Sequence, residues 1–444
     1  MKRPELLSPA GTLKHMRYAF AYGADAVYAG QPRYSLRVRN NEFDHDNLKI
    51  GIDEAHAQGK QFFVCANIAP HNSKVKTFLR DLQPIVEMKP DAFIMSDPGL
   101  IDLVRENHPE MPIHLSVQMN TVNYASVKFW HKLGVERIIL SRELSLDEIG
   151  EIRQECPDVE LEVFVHGALC IAYSGRCLLS GYMNRRDPNQ GTCTNACRWD
   201  YKVASATEDD KGNLVRKDET VKYYSTEMHQ SSSLEDHPSP IILEEPKRAG
   251  EEYTAEEDEH GTYIFNSKDL RALQHVERLM SIGIDCLKIE GRTKSFYYAA
   301  RTAQLYRQAI DDALQGLPFN RQLMDVSEGL ANRGYTEGFY RRHVHDEYQN
   351  YLTGNSGNFN QQFVGEVLEQ DGERILVDVK NRFQVGDSVE LLSASGNIEF
   401  ILDSIENEKG VKQLVAPGSG YRLWIRKPDT TAVEHGLVVR NLSQ

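Results

Sequence analysis

No stretch of this sequence approaches the ~20 consecutive apolar residues that a membrane span needs, and its N-terminus, MKRPELLSPAG, has no apolar signal-peptide core. A cytoplasmic chain is therefore expected, and disulfides, which belong to oxidising compartments, are not. Basic charge is also scarce. A net charge of −14 argues on its face against a nucleic-acid partner, because phosphate binding is driven largely by Lys and Arg. The deficit is unevenly placed: residues 201–260 hold 16 acidic and 7 basic side chains, a net −9 that leaves only −5 for the other 384 residues. A basic patch elsewhere is compatible with that. No serine elbow and no HExxH zinc motif occurs, which removes two common hydrolase chemistries.

Cysteine is sparse, and most of it stands in one place. Of seven cysteines, Cys170, Cys177, Cys193 and Cys197 fall within the run EVFVHGALCIAYSGRCLLSGYMNRRDPNQGTCTNACRW, at spacings C-x6-C-x15-C-x3-C. Gly175, Gly181, Gly191 and the Asp187-Pro188-Asn189 turn lie between them, so the loops can fold four thiolates around one centre. A cytosolic cluster of this kind points to metal or catalysis. Buried thiols acting as small hydrophobes are the bland reading, which suits Cys65, Cys156 and Cys286 in their apolar surroundings. Four thiolates suit a structural zinc or a four-iron cluster. Zinc ribbons favour two short knuckles, whereas only Cys193 and Cys197 form one here, and that asymmetry favours iron-sulfur.

A length of 444 residues suggests two domains, one of them a barrel of about 250 residues. Short β-branched runs alternate with helical stretches, the pattern of βα units around a parallel sheet. Strands are predicted at Glu5–Leu7, Ala26–Tyr28, Phe62–Asn67, Ala92–Ser96, Ile113–Val117, Arg137–Leu140, Glu162–Val165 and Cys286–Ile289. Helices follow at Leu13–Tyr22, Asn47–Gln58, Val75–Met88, Gly99–Asn107, Ala125–Leu133, Leu146–Gln154 and Ser295–Ala313, with Ser73 and Ser145 as caps. The result is a (β/α)8 TIM-like barrel over 1–320, with an open doubly wound sheet as the alternative. The Cys-rich segment (166–199) and a solvated acidic insertion (201–260) interrupt the barrel. After the insertion, Tyr263–Phe265 reads as a strand and Asn266 or Ser267 as the cap of a helix running to Arg278. A linker (321–360) leads to alternating runs over 361–444, predicted as a small antiparallel β-barrel. In a barrel, chemistry belongs at the C-terminal ends of the strands. There the chain places Ser8, Asn67, Asp97, Gln118, Asn120, Ser141, Arg142, His166, Glu290 and Arg292.

The cysteine segment resembles the signature of the collagenase-like peptidase family of unassigned catalytic type, number thirty-two of class U. Glu162, Phe164, Gly167, Ala168, Leu169, Cys170, Gly175, Cys177 and Ser180 stand in register with it, as do ELLSPAG at 5–11, GADAVYAG at 23–30 and KIEGR at 288–292. QPRYSLRVRNNEF, RDPNQGTCTNACRW and NRGYTEGF resemble one branch, whose members act in prephenate-dependent formation of 5-hydroxyuridine at the tRNA wobble position without oxygen. That resemblance implies a [4Fe-4S] cluster on Cys170, Cys177, Cys193 and Cys197, with Cys286 as the other choice for the fourth ligand. It implies tRNA and prephenate as partners, with an electron-donor or other accessory protein. Prephenate carries two carboxylates, for which arginine is suited. Arg37, Arg39, Arg142 and Arg292 are the candidates, joined at the site by Tyr34, Asn40, Asn67, Gln118, Asn120 and Lys288. His166, Glu290 and Asp97 are the acid/base candidates. Two rival classes remain at this point: a cysteine peptidase using His166 beside Cys170, and a zinc-stabilised RNA-binding module.

Overall fold

The computed structural model of the chain describes residues 1–36, 42–169, 173, 176–177, 268–330, 332, 334–341, 361–429 and 432–442, together with the backbone of short strands between 202 and 262. Eight parallel strands run β1 (Glu5–Pro9), β2 (Ala26–Gly30), β3 (Gln61–Ala66), β4 (Ala92–Met95), β5 (Ile113–Leu115), β6 (Arg137–Ile139), β7 (Glu160–Ala168) and β8 (Cys286–Ile289). Each pairs with the next in sequence, and β8 pairs with both β7 and β1, so the sheet closes. This is the expected (β/α)8 barrel and not an open sheet. The strands are nearly continuous apolar runs because both faces are covered, one by the barrel interior and the other by helices.

The surrounding helices are α1 (Leu13–Ala21), α2 (His45–Ala57), α3 (Asn72–Val75), α4 (Phe78–Glu87), α5 (Pro98–Asn107), α6 (Tyr124–Lys132), α7 (Leu146–Glu155), α8 (Val276–Ile282) and α9 (Phe296–Leu314). Thr12, Asp44, Asp97, Asn123, Ser145 and Ser295 accept hydrogen bonds from the first turns of α1, α2, α5, α6, α7 and α9. Such caps satisfy donors that have no partner within the helix. Ser145 and Glu148 form the full reciprocal box. Ser73 does not cap; it lies inside α3, and the predicted helix over 75–88 is broken into α3 and α4 around Lys76 and Thr77.

Beyond β8's reach, the end of β7 pairs antiparallel with Asp269–Arg271, which also pairs with Tyr335–Thr336. The helix predicted from Ser267 is displaced for that reason: its first residues are claimed by a strand, and α8 starts only at Val276. Tyr263–Phe265 lies outside the described residues. The acidic insertion is not wholly loop, since Lys202–Glu208, Leu214–Arg216, Ile241–Glu244 and Glu252–Ala255 form an antiparallel sheet.

From Gln361 an eight-stranded antiparallel sheet buries its own core of Val364, Ile375, Val377, Phe383, Val389, Leu391, Leu423, Ile425 and Val438. Its outermost strands, Ile398–Ile401 and Lys412–Gln413, do not pair with each other. The predicted β-barrel is thus a half-barrel, whose open edges are two short strands. That core is separate from the barrel's, which Leu392, Leu437 and Val439 join instead, at seams on α1 and α9. The Tyr297 and Phe363 rings stack at 4.7 Å, Tyr18 donates to Glu366 Oε1 at 2.9 Å, and the buried Arg301 reaches Glu390 at 3.2 Å.

Candidate active site at the barrel mouth

The ends of β7 and β8 are locked together by a backbone hydrogen bond, Glu290 N–H to the His166 carbonyl, 2.9 Å. Gly167 beside it has φ +100°, and a Cβ there would stand 2.4 Å from the Glu290 carbonyl oxygen, so only glycine fits. The lock presents Glu290 to Arg142 at the end of β6, and the two form an ion pair with side chains 16% and 7% exposed. The Arg142 guanidinium also lies 3.8 Å from the centre of the Phe164 ring. Arg292, just past β8, donates to Ser35 Oγ at 2.9 Å and lies 5.7 Å from the Tyr28 ring centre. Room for that contact comes from Gly30, where a Cβ would fall 2.5 Å from both Arg292 Nη1 and Ser35 Oγ. Below them Lys288 sits 4.4 Å from the Tyr28 centroid and 5.4 Å from that of Phe164, its ammonium bonded to Glu162 at 2.7 Å. Tyr28 and Phe164 thus floor the mouth. Burial pushes the Tyr28 phenol up, and its hydroxyl donates to the Ile289 carbonyl at 3.0 Å.

Asn67 and Gln118 flank this cluster and hold each other: Asn67 Nδ2 donates to Gln118 Oε1 at 2.9 Å, and Gln118 Nε2 to the Asn67 carbonyl at 2.6 Å. Asn67 Oδ1 also accepts from Leu36 N–H at 3.2 Å, fixing the loop after β2. Asn120, in the left-handed region at φ +51°, accepts from Arg176 Nε at 3.0 Å. Arg176 adjoins the half-buried Cys177, so this bond ties the cysteine segment to the β5 sector of the mouth.

Several expected site residues lie elsewhere. His166 is 1% exposed and faces the helical layer, because the register shift between Lys288 and Ile289 pairs it with the outward Ile289. The Tyr298, Tyr306 and Tyr335 rings surround it at 5.8, 5.6 and 5.4 Å. Tyr306 spends its hydrogen on the Val165 carbonyl at 2.6 Å, so His166 Nδ1, 3.3 Å from that hydroxyl, is the protonated nitrogen. Burial first, then Arg271 and Lys294, push its pKa down to about 3. His166 is therefore a neutral packing group and no acid/base on the rim. Asp97 is occupied as the α5 cap, accepting from Leu100 N–H at 2.9 Å. Tyr34 is fully buried under α3 and α4, with its hydroxyl among Thr77, Asp81 and the Lys74 carbonyl. Lys288 is enclosed in the barrel beneath the mouth, paired as above. Ser8 is buried in β1 and alternates with the inward Leu7, so it faces the helices.

Cys286 cannot complete a set with Cys177. It starts β8 beside Glu162, and six residues of β7 separate that level from Ala168, on the order of 20 Å at ~3.3 Å per residue. Its thiol is fully buried and pushed well up by that burial. Cys170, Cys193, Cys197, Arg37, Arg39 and Asn40 lie outside the described residues. Among the described residues no group of three or more His, Cys, Asp or Glu side chains is placed to hold a metal. Sequence reasoning missed Tyr28, Phe164, Ser35 and Arg176. Inward parity along β2 and β7, shared with Glu162, was the available signal for the first two.

Residues 11–350 match the family described as Peptidase family U32, and residues 360–440 match the Peptidase family U32 C-terminal domain. The chain is 64% identical over 444 residues to tRNA hydroxylation protein P of Escherichia coli, covering 100% of this chain and 98% of that one. It is 61% identical over 447 residues to the protein of the same name from Haemophilus influenzae, covering 99% and 96%. A more distant relative, the 23S rRNA 5-hydroxycytidine C2501 synthase of Escherichia coli, is 28% identical over 430 residues, covering 95% of this chain and 56% of that protein. With both of its parts matched and relatives alike along its whole length, the chain belongs to peptidase family U32.

Proposed function

We propose that this chain is a tRNA-modifying hydroxylase that converts the wobble uridine to 5-hydroxyuridine, with prephenate as co-substrate and a [4Fe-4S] cluster, independently of oxygen. Support for tRNA hydroxylation is the naming of relatives 64% and 61% identical over nearly their full length. The observation in the molecule that carries the reading is a cationic, aromatic-floored mouth at the strand ends from which β7 delivers the cysteine segment.

Cys170, Cys177, Cys193 and Cys197 would hold the cluster, and four thiolates are the donor set such a cluster takes. When bound, it supplies electron transfer. The protein's own side chains do the rest. Arg292, whose bonded partner is the neutral Ser35 hydroxyl, forms no ion pair with a carboxylate among the described residues and is ready for one carboxylate of a dianion. Arg142 takes the second by exchanging its bond to Glu290, and Glu290, so released, accepts or returns a proton at the mouth. The Tyr28 and Phe164 faces exclude water from beneath. Asn67 and Gln118 orient polar groups from the side, and Asn120 holds the Cys177 segment. An electron-donor or accessory protein completes the set of partners. Substrate tRNA puts the reaction in the cytoplasm, and among the described residues no helix is long and apolar enough to cross a membrane.

The peptidase reading needs an imidazole that can deprotonate a thiol. His166 faces the tyrosines with both ring nitrogens, and its lowered pKa makes it a poor base. Metal and acid-labile sulfide analysis on protein purified without oxygen, beside an assay of tRNA hydroxylation with prephenate, tests the proposal. About four irons and four sulfides per chain are expected, lost on Cys177→Ala together with activity; zinc or no metal, with activity intact, would overturn it.

A further inference from the structure

The loops that follow β2 and β3 differ in charge from the rest of an acidic chain. Residues 31–41 and 67–80 carry Arg33, Arg37, Arg39, Lys74, Lys76 and Arg80 and no Asp or Glu, whereas the whole chain has 65 acidic side chains against 51 basic. In their described parts the two loops are bonded into one surface. Ile68 N–H donates to the Tyr34 carbonyl at 3.1 Å, and Lys74 Nζ donates to the Arg33 carbonyl at 3.1 Å. The Tyr34 hydroxyl lies 3.1 Å from the Lys74 carbonyl and 3.0 Å from Asp81 Oδ2. Asn67, whose Oδ1 accepts from Leu36 N–H at 3.2 Å, joins this surface to the mouth.

Asp81, in the first turn of α4, gathers the guanidiniums. Arg80 bonds its Oδ1 through Nε at 3.1 Å and Nη2 at 3.0 Å, and Arg33 pairs with its Oδ2. The Arg80 and Arg33 side chains are nonetheless 73% and 52% exposed. One carboxylate therefore orders two guanidiniums without neutralising both, and each keeps N–H donors for a further anion. Arg33 is held at φ +75°, in the left-handed region that side-chain-bearing residues seldom enter. Beside them α4 begins at Thr77, which gives no side-chain cap; its hydroxyl is bonded to that of Tyr34 at 2.9 Å instead. The positive end of the helix dipole adds to the same potential. Lys76, two residues beyond Lys74, is exposed. Exposed cations, ordered in place at the edge of the mouth, match what a phosphodiester backbone requires. Such contacts position a nucleic acid and do not read its sequence.

We propose that the surface formed by Arg33, Lys74, Lys76 and Arg80 binds backbone phosphates of the substrate tRNA beside the nucleotide that enters the mouth. It rests on the tRNA reading above and adds where the backbone is held. Tyr34 and Asp81 then brace the two loops from within, which accounts for a tyrosine buried so close to the site without facing it.

Fluorescence anisotropy with a labelled, unmodified tRNA transcript, titrated at several salt concentrations, tests the surface directly. Lys74→Ala and Arg80→Ala combined should weaken binding about tenfold and make the fall of log affinity with log salt shallower by about 1–2, alike for tRNAs with different anticodons. Arg80→Lys, which keeps the charge, should keep the slope. Lys412→Ala, at an exposed edge of the half-barrel, should leave affinity and slope as in the wild type. Visible absorbance, thermal unfolding and, at saturating tRNA, the prephenate concentration for half-maximal rate should not move in any of these variants. An unchanged slope in the double variant, or an equal change in Lys412→Ala, would overturn the surface while leaving the hydroxylase reading in place. A wild-type chain that binds no tRNA at all would overturn both.

Discussion

The two ends of the barrel use the same side-chain types in opposite ways. At the closed end, where strands begin, Arg137 reaches Glu5 at 2.6 Å, Glu160 at 2.8 Å and Glu162 at 3.5 Å, while Lys288 takes the other Glu162 oxygen at 2.7 Å. Arg137, Glu162 and Lys288 are all buried. At the mouth, Arg142 pairs with Glu290, Arg292 has a neutral partner, and the cysteine segment is tied by the bond between Asn120 and Arg176. Charges that face no solvent must be paired, since an unpaired one costs several kcal/mol. Arg292, bonded to a hydroxyl and in no ion pair among the described residues, is a charge that a ligand can complete. A buried charge network at one end and an arginine open to a ligand at the other separate the part of the barrel that specifies the fold from the part that does chemistry.

The largest effect should come from breaking the closed end. Arg137→Met strands Glu5 and Glu162, whose neighbourhood already holds the Glu5 carboxyl above its usual range through burial. A loss of about 3–5 kcal/mol of stability is expected, read as a lower urea midpoint, and an unchanged midpoint would erase the distinction between the ends. Next is Gly167→Ala, which forces a side chain against the Glu290 carbonyl at a strained φ. It should cost about 1–3 kcal/mol and, by shifting Glu290, also remove hydroxylation. Arg292→Ala belongs wholly to the mouth. Unfolding should move by less than about 0.5 kcal/mol, while the prephenate concentration for half-maximal rate rises about tenfold or more.

Near neutral pH the smallest effect is that of His166, which shows only as a slope in acid. His166 folds with a pKa of about 3, below the 6.5 of the unfolded chain, so the unfolded state binds the extra proton between those values. Its contribution to stability is complete above pH 6.5 and fades as pH falls toward 3. His166→Phe should flatten that part of the stability profile, and an identical profile would show that His166 titrates normally. Other buried histidines, His114 among them, keep some slope in the variant.

Much of the barrel was legible because each strand is a short apolar run bounded by polar residues, and the eighth strand falls at Cys286–Ile289 as read. Ser145 was legible as a cap because Glu148 stands three residues on. Side-chain direction was not. A single register shift at Lys288 turns His166 from the rim to the helical layer, and no local pattern announces it. Tyr34 reads as a site residue, but its hydroxyl is claimed by Thr77 and Asp81 more than forty residues away. The mouth arginines could be named by type, yet the Arg142–Glu290 pair spans 148 residues and depends on closure of the sheet. In the half-barrel, the alternating stretch 398–407 is two strands divided at Leu402, and Leu437–Asn441 is an inner strand only five residues long.

The most direct test of the division between the two ends is nucleoside analysis of tRNA from cells lacking this protein, complemented with wild type, Cys177→Ala or a closed-end Glu160→Gln variant at equal protein levels. The account predicts 5-hydroxyuridine with wild type and with Glu160→Gln, and none with Cys177→Ala. Full 5-hydroxyuridine with Cys177→Ala would contradict it, because the chemistry would then not depend on the cysteine segment at the mouth.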